Sequence, residues 1–251
     1  MKTNLDQDPD RPGAPRRGAA GKQTATRVQQ GSAAPAHLLV RVLRRVVRGI
    51  FRLVFRVHVV GLEQVPATPA IICANHLGWA DMFLVLLFFP VEPRIYILGE
   101  QEVRTISAWR TRLIDRLEIM VALDRRNPLR AIRSMDDVLK RGGSLLIFPE
   151  GELGTAEGAL LPLHEGAARA SVITGAPLLP VGLTGTRDLW LRRTLTLRIG
   201  PPIAPAGVTG TTHERVDVLT ARLRAAMLAL LPGDPARPRW KPLRAWLTGL
   251  F

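Results

Sequence analysis

Between residues 56 and 231, short apolar runs and longer amphipathic stretches take turns, and this alternation leaves the chain few folds to choose from. The runs at 56–60, 70–74, 94–98, 119–123, 144–148, 178–183 and 194–199 are rich in Val, Ile and Leu, and most end at Gly, Pro or Asp. Continuous apolar runs of that length are what strands buried on both faces require. The stretches 80–89, 106–117, 128–140, 165–174 and 213–231 read as helices. Strands alternating with helices predict an α/β fold, a central and largely parallel sheet flanked by helices. No internal repeat or linker interrupts the pattern, so residues 58–235 read as one globular domain.

The flanks differ from this domain. Residues 1–35 are rich in Gly, Pro, Ala, Gln and Arg with almost no large apolar side chains, a composition expected to stay disordered. Of the net charge of +14, most comes from residues 1–60, where 12 basic residues face 3 acidic ones. Residues 36–57 read as an amphipathic helix, "HLLVRVLRRVVRGIFRLVFRV" from 37 onward. At 100° per residue, Arg41, Arg44, Arg45, Arg48, Arg52 and Arg56 lie within about 60° of one meridian. One reading packs this helix on its own domain with a solvated arginine face. The absence of any acidic partner favours a second, an interfacial helix with arginines at lipid phosphates and apolar side chains in the acyl boundary. A nucleic-acid partner is not expected, because it would leave Phe51 and Phe55 in water. Trp240, Trp246 and Phe251, among basic residues in 236–251, suggest a second interfacial contact.

No apolar run approaches the roughly 18 residues that a membrane-spanning helix needs. Asp6, Asp8 and Asp10 near the start do not resemble a secretory signal. The expected location is therefore peripheral, at the cytoplasmic face of the cell membrane. The single cysteine, Cys73, excludes an intramolecular disulfide framework and a multi-cysteine zinc site.

Function in an open α/β sheet gathers at the carboxyl ends of the strands. Three such ends are polar here: "IICANHLGWAD", "IMVALDRRN" and "SLLIFPEGELG". In the first, His76 and Asp81 are five residues apart, about 140° on a continuous helix. They meet only if His76 lies in a strand-to-helix turn and Asp81 in the first helical turn, which Gly78 makes plausible. A carboxylate-held histidine is a general base, but the bare pattern is unspecific and also suits a capping or packing histidine. Competing chemistries lack their motifs: no G-x-G-x-x-G, no Walker lysine and no G-x-S-x-G elbow occurs. Cys73, inside an apolar strand, reads as core.

Taken in order, "NHLGWAD" (75–81), "VALDR" (121–125), "FPEG" (148–151) and "APLLPV" (176–181) resemble the four blocks of the glycerolipid acyltransferase family, whose best-known members are the 1-acylglycerol-3-phosphate acyltransferases. The resemblance covers roughly residues 60–205. It implies a membrane-peripheral O-acyltransferase of phospholipid biosynthesis that moves a fatty acyl group from acyl-CoA or acyl-carrier protein to a lysolipid hydroxyl. In that likeness His76 is the base and Asp81 orients it, while Glu150, Gly151 and Arg125 bind the acceptor. Asn75, Pro149, Pro177 and Pro180 shape the surroundings of the site. No metal or other cofactor is expected, because the donor thioester is already activated.

The chain also departs from the family pattern. Glu152 and Leu153 stand where the third block usually has Thr-Arg, Glu100 replaces a lysine, and Leu163-His164 replace Phe-Lys. A phosphomonoester relies on charge-assisted hydrogen bonds that these residues do not offer. Either Arg94, Arg104, Arg125, Arg126 or Arg169 substitutes, or the acceptor is a non-phosphomonoester lysolipid such as a lyso-aminolipid. The alternatives to acyl transfer are a thioesterase or lysolipid hydrolase at the same base, and a non-catalytic basic membrane-binding protein on the same fold.

Overall fold

The computed structural model describes residues 38–100, 120–123, 127–231 and 241–250. Its centre is a sheet whose strands, β1 (Arg56–Val60), β2 (Ile71–Ala74), β3 (Ile95–Glu100), β4 (Met120–Leu123), β5 (Ser144–Ile147), β6 (Leu178–Thr184) and β7 (Thr194–Ile199), lie in the spatial order β1-β7-β6-β2-β5-β3-β4. All neighbours are parallel except β6 and β7. The expected α/β sheet is therefore present, with one antiparallel pair.

Residues on β2 show why the central runs carry no polar alternation, whereas β1 and β7 keep one. Ile72 and Ala74 join one apolar cluster with Phe51, Phe55, Leu84 and Phe88, while Ile71 and Cys73 join another with Met135, Ala167, Leu219 and Leu223. Both faces are thus covered. Helices α1 (Leu38–Val54) and α2 (Ala80–Phe88) lie on one side, and α3 (Pro128–Lys140), α4 (Gly166–Thr174) and α5 (Thr212–Ala229) on the other. Each fully buried Leu, Ile or Phe contributes about 1.5–3 kcal/mol, so a strand with two dry faces tolerates few polar residues. A capping box between Thr211 and Glu214 starts α5.

The helix expected at 36–57 ends at Val54, and Arg56 belongs to β1, where its N–H donates to the Arg193 carbonyl. Arg192 accounts for the early end: its N–H donates to the Val54 carbonyl and its guanidinium reaches the carbonyls of Arg52 and Leu53. These satisfy helix-end acceptors that would otherwise need water.

The arginine face of α1 is divided: Arg41, Arg45 and Arg52 are exposed, as a solvated face requires, while Arg44 and Arg48 are partly covered. Phe51 and Phe55 do point inward, with Phe51 packed on the Phe88 ring. Beside them Arg44 donates to the Phe89 carbonyl, and the guanidinium groups of Arg48 and Arg52 lie 4.9 and 5.3 Å from the Phe88 centroid. Val42, Leu43, Val46, Ile50 and Leu53 face outward instead, with Ile50 57% and Leu53 73% exposed. Arg41 and Arg45 are exposed along the same helix.

Near the other end of the chain, α6 (Arg244–Thr248) docks through buried Leu247 and leaves Trp246 62% exposed. Asp188 holds it through Arg244 (2.9 Å) and Lys241 (3.5 Å). Among the described residues no helix is long and apolar enough to cross a membrane. The expected tail at 1–35, the helix at 106–117, and Trp240 and Phe251 lie outside the described residues.

Candidate active site

β2 is the central strand of the sheet, and its last residue, Ala74, is followed by Asn75 and His76. Asn75 continues the sheet with its side chain. Its Nδ2 donates to the Leu183 carbonyl at 3.0 Å and its Oδ1 accepts from the Leu183 N–H at 2.7 Å, replacing a strand rung toward β6. The chain then turns sharply into α2. Gly78 suits the turn, because a Cβ there would stand 3.0 Å from the Thr186 carbonyl oxygen, a tight contact. The turn carries Asp81 back beside His76.

Asp81 is fully buried, and one of its oxygens gathers three donors. Oδ2 accepts from the N–H groups of Leu77 (2.5 Å) and Gly78 (2.8 Å) and lies 3.0 Å from His76 Nδ1. An ionised carboxylate only accepts, so Nδ1 is the protonated nitrogen of the neutral ring. Nε2 is left with its lone pair at the open side of a side chain that is 29% exposed. Asp81 Oδ1 is buried with no hydrogen-bond partner among the described residues. The Phe148 ring stacks on the imidazole at 4.1 Å and fixes its plane.

The loop after β5 holds the other side of the turn. Glu150 is buried, and its Oε1 accepts from the His76 N–H at 2.9 Å while Oε2 accepts from the Leu161 N–H at 2.8 Å. Burial pushes its carboxyl above the usual range, against the backbone donors of Leu161 and His76, which pull it down. The His76 carbonyl accepts from Gly154 at 2.7 Å, so this loop grips the histidine backbone at both its donor and its acceptor. Gly151, at φ +73°, permits the tight reversal after Pro149.

Not every expected site residue falls here. His76, Asp81, Asn75, Pro149, Glu150 and Gly151 converge at the carboxyl ends of β2 and β5. Glu150 gives each oxygen to a backbone donor, which makes it a brace of the His76 turn. Arg125 lies outside the described residues, as do Asp124, Arg104 and Arg126. Pro177 is not near the site. Leu178 pairs with Ile71, so Pro177 sits beside Ala70 at the opposite end of the sheet, about 20 Å from His76 at strand rise. Pro180 lies opposite Cys73, one residue before the β6–β7 ladder begins. Its carbonyl accepts from Gly200, so its missing N–H also faces β7, at the end of that ladder, and no rung toward β2 is lost. Arg169 is paired with Glu165 at 2.7 Å. Cys73 is buried core, and burial pushes its thiol far up, away from nucleophilic use.

Sequence reasoning passed over two supports. Phe148 was read only as a motif residue, although an aromatic next to a catalytic block is a signal for ring stacking. Glu157 accepts from the N–H groups of Gly185 (2.8 Å) and Arg187 (3.1 Å) with Arg193 buried beside it at 3.9 Å. It fixes the loop whose Thr186 carbonyl abuts Gly78. A lone acid in the Gly/Ala-rich segment 154–161 gave no hint of this.

This arrangement can take a proton at Nε2 and stabilise the resulting imidazolium through Asp81. The profile of the family described as Acyltransferase matches residues 56–184. A 1-acyl-sn-glycerol-3-phosphate acyltransferase of Cocos nucifera is 32% identical over 153 residues, covering 53% of this chain and 43% of that protein. One from Pseudomonas aeruginosa is 31% identical over 144 residues, covering 55% and 51%. The chain thus spans about half the length of the curated relatives it matches. Among solved structures, the 1-acyl-sn-glycerophosphate acyltransferase PlsC of Thermotoga maritima superposes with a TM-score of 0.55 at 24% identity, over 74% of this chain and 80% of that one, and shares its fold. With the profile spanning the strand ends that carry His76, Asp81 and Glu150, the chain belongs to the acyltransferase family.

Proposed function

We propose that this protein transfers a fatty acyl group from a thioester donor, acyl-CoA or acyl-carrier protein, to a hydroxyl of a lysolipid at a membrane surface. The observation that carries the reading is the His76–Asp81 pair, with Nδ1 committed to Asp81 and Nε2 turned to the open side. In the proposed reaction the acceptor hydroxyl gives its proton to Nε2 as its oxygen bonds to the thioester carbonyl carbon. Asp81 stabilises the imidazolium while the tetrahedral oxyanion exists. Collapse of that intermediate breaks the carbon–sulfur bond, and the departing thiolate takes the proton from Nε2. His76, Phe148, Asp81 and Glu150 do the work of placing and holding that proton.

The membrane part of the reading rests on α1. Its outward row of Val42, Leu43, Val46, Ile50 and Leu53 suits the acyl boundary, and exposed Arg41 and Arg45 suit anionic headgroups. The partner surface is a bilayer containing anionic lipid.

For the acceptor, the names of the relatives favour a 1-acylglycerol phosphate. A second reading, a lysolipid without a phosphomonoester, is favoured by Glu152 and by Leu153, which stand exposed at the mouth of the loop after Glu150 and offer no cation. A panel of lysolipid acceptors with one labelled acyl donor separates the two. Transfer to lysophosphatidic acid above all others supports the first, preference for a lyso-aminolipid supports the second, and donor hydrolysis unaffected by any acceptor overturns both.

A further inference from the structure

Trp79 sits inside the catalytic turn, between the base and its carboxylate, yet its side chain reaches the surface helices. Its indole N–H donates to the Leu247 carbonyl of α6 at 3.0 Å. Its ring meets Phe51 of α1 edge-on, with centroids 6.3 Å apart at 87°, and Phe83 of α2 at 5.6 Å and 80°. Phe51 in turn packs on Phe55 and Phe88. Both helices that bear on Trp79 turn apolar side chains outward: Val46, Ile50 and Leu53 on α1, and Trp246 on α6, with Leu243 beside it. α6 is also tied to the segment after β6, since Thr248 Oγ1 accepts from the Leu189 N–H at 3.0 Å and Asp188 binds Arg244. That segment carries Thr186, whose carbonyl abuts Gly78. The turn holding His76 against Asp81 is therefore braced by two helices whose other faces have no protein to cover them among the described residues.

From this juxtaposition we infer that Trp79 is a positioning residue that couples bilayer contact at α1 and α6 to the His76–Asp81 turn, so that docking raises turnover itself and not merely the local supply of lipid. The inference rests on the proposed acyl transfer at a membrane. Its physical basis is simple. A helix as short as α6, with five residues, is marginal in water and is steadied by burial of its apolar side. Steadying it fixes the Leu247 carbonyl, which fixes Trp79, and Trp79 is two residues from Asp81.

The test uses the full chain, a short-chain lysolipid acceptor below its micelle concentration, a labelled acyl thioester, and vesicles of phosphatidylcholine with phosphatidylserine. Saturating vesicles are expected to raise kcat roughly fivefold, the shift that one neutral hydrogen bond supports, with KM for the soluble acceptor unchanged. Trp79→Phe keeps the ring and loses the N–H donor. It is expected to bind vesicles as the parent does but to lose the rise in kcat on docking. Hydrogen exchange of segment 76–81, which includes the Leu77 and Gly78 amides, is expected to slow on docking in the parent and not in the variant. Trp246→Ala, which touches no catalytic group, is expected to lose at least half of the rise. The inference is overturned if vesicles change neither kcat nor exchange in the parent, if Trp79→Phe or Trp246→Ala keeps the full rise, or if Trp79→Phe is equally impaired without vesicles. A parent that transfers no acyl group while segment 76–81 still slows on docking refutes the proposed function and leaves the coupling standing.

Discussion

Asp81→Asn separates the charge of Asp81 from its geometry. Oδ2 collects three donors, His76 Nδ1 and the N–H groups of Leu77 and Gly78, while Oδ1 has none among the described residues. The incoming amide must place its oxygen where Oδ2 stands, because the flipped amide would set an NH2 group against three donors. The ring and the turn therefore keep their places, and the loss is one negative charge 3.0 Å from Nδ1. At an effective dielectric near 20, two unit charges at that spacing attract by about 5 kcal/mol, and solvent at the part-exposed ring screens this to about half. Each 1.36 kcal/mol is tenfold in rate, so kcat is expected to fall by about 10²–10⁴-fold. The amide NH2 in the dry place of Oδ1 adds a stability cost of about 1–3 kcal/mol. Asp81→Ala, which also strands the Leu77 and Gly78 N–H groups, is expected to be less stable than Asp81→Asn and no more active. Steady-state acyl transfer and thermal melts of both variants check this. A folded Asp81→Asn within fivefold of the parent kcat would refute the charge argument.

Two further perturbations probe the brace and the surface helix. Glu150→Gln keeps one acceptor for His76 or Leu161 and turns an NH2 group on the other, a loss of about 1–3 kcal/mol. At about 2–4 °C per kcal/mol for a chain this size, the melting temperature should fall by several degrees. Because burial raises the Glu150 carboxyl above its ordinary 4.5, its contribution is full below that pH and is lost as pH rises through the raised folded value. The stability gap between parent and Glu150→Gln should therefore narrow from pH 4 to 7 in paired melts; a widening gap contradicts the assignment. On α1, the double variant Ile50→Asp with Leu53→Asp removes two outward apolar side chains worth about 1.5–3 kcal/mol each in a bilayer. Vesicle sedimentation should show binding weakened more than tenfold at an unchanged melting temperature, and unchanged binding would refute the membrane role of that face. Deleting residues up to 57 cannot serve as this test, since Phe51 and Phe55 are part of the core.

Much of the sheet was legible because both faces of its central strands are dry. Runs such as 144–148 and 178–183 could be little else, and their observed bounds differ by a residue or so at each end. Asn75, His76 and Asp81 were legible as a strand-end cluster, with Gly78 pointing to the turn that joins them. What stayed hidden depended on partners far away in sequence. The place of Glu150 turns on the N–H groups of His76 and Leu161, which no local pattern reveals. Pro177 was misplaced because a motif records order along the chain, whereas register records height along the sheet. The arginine stripe of α1 gave a correct helix but not how its arginine face divides. Phe88 and the Phe89 carbonyl draw Arg44, Arg48 and Arg52 toward α2, and that preference exists only once α2 is in place.

The proposal that His76 is the base of an acyl transfer is tested most directly by His76→Ala. With a labelled acyl thioester and a lysolipid acceptor presented on vesicles, the parent should form diacyl product. The variant should melt like the parent within a few degrees, bind vesicles equally, and form product only at the uncatalysed rate. Product formation by folded, vesicle-bound His76→Ala at a rate near the parent's would contradict it.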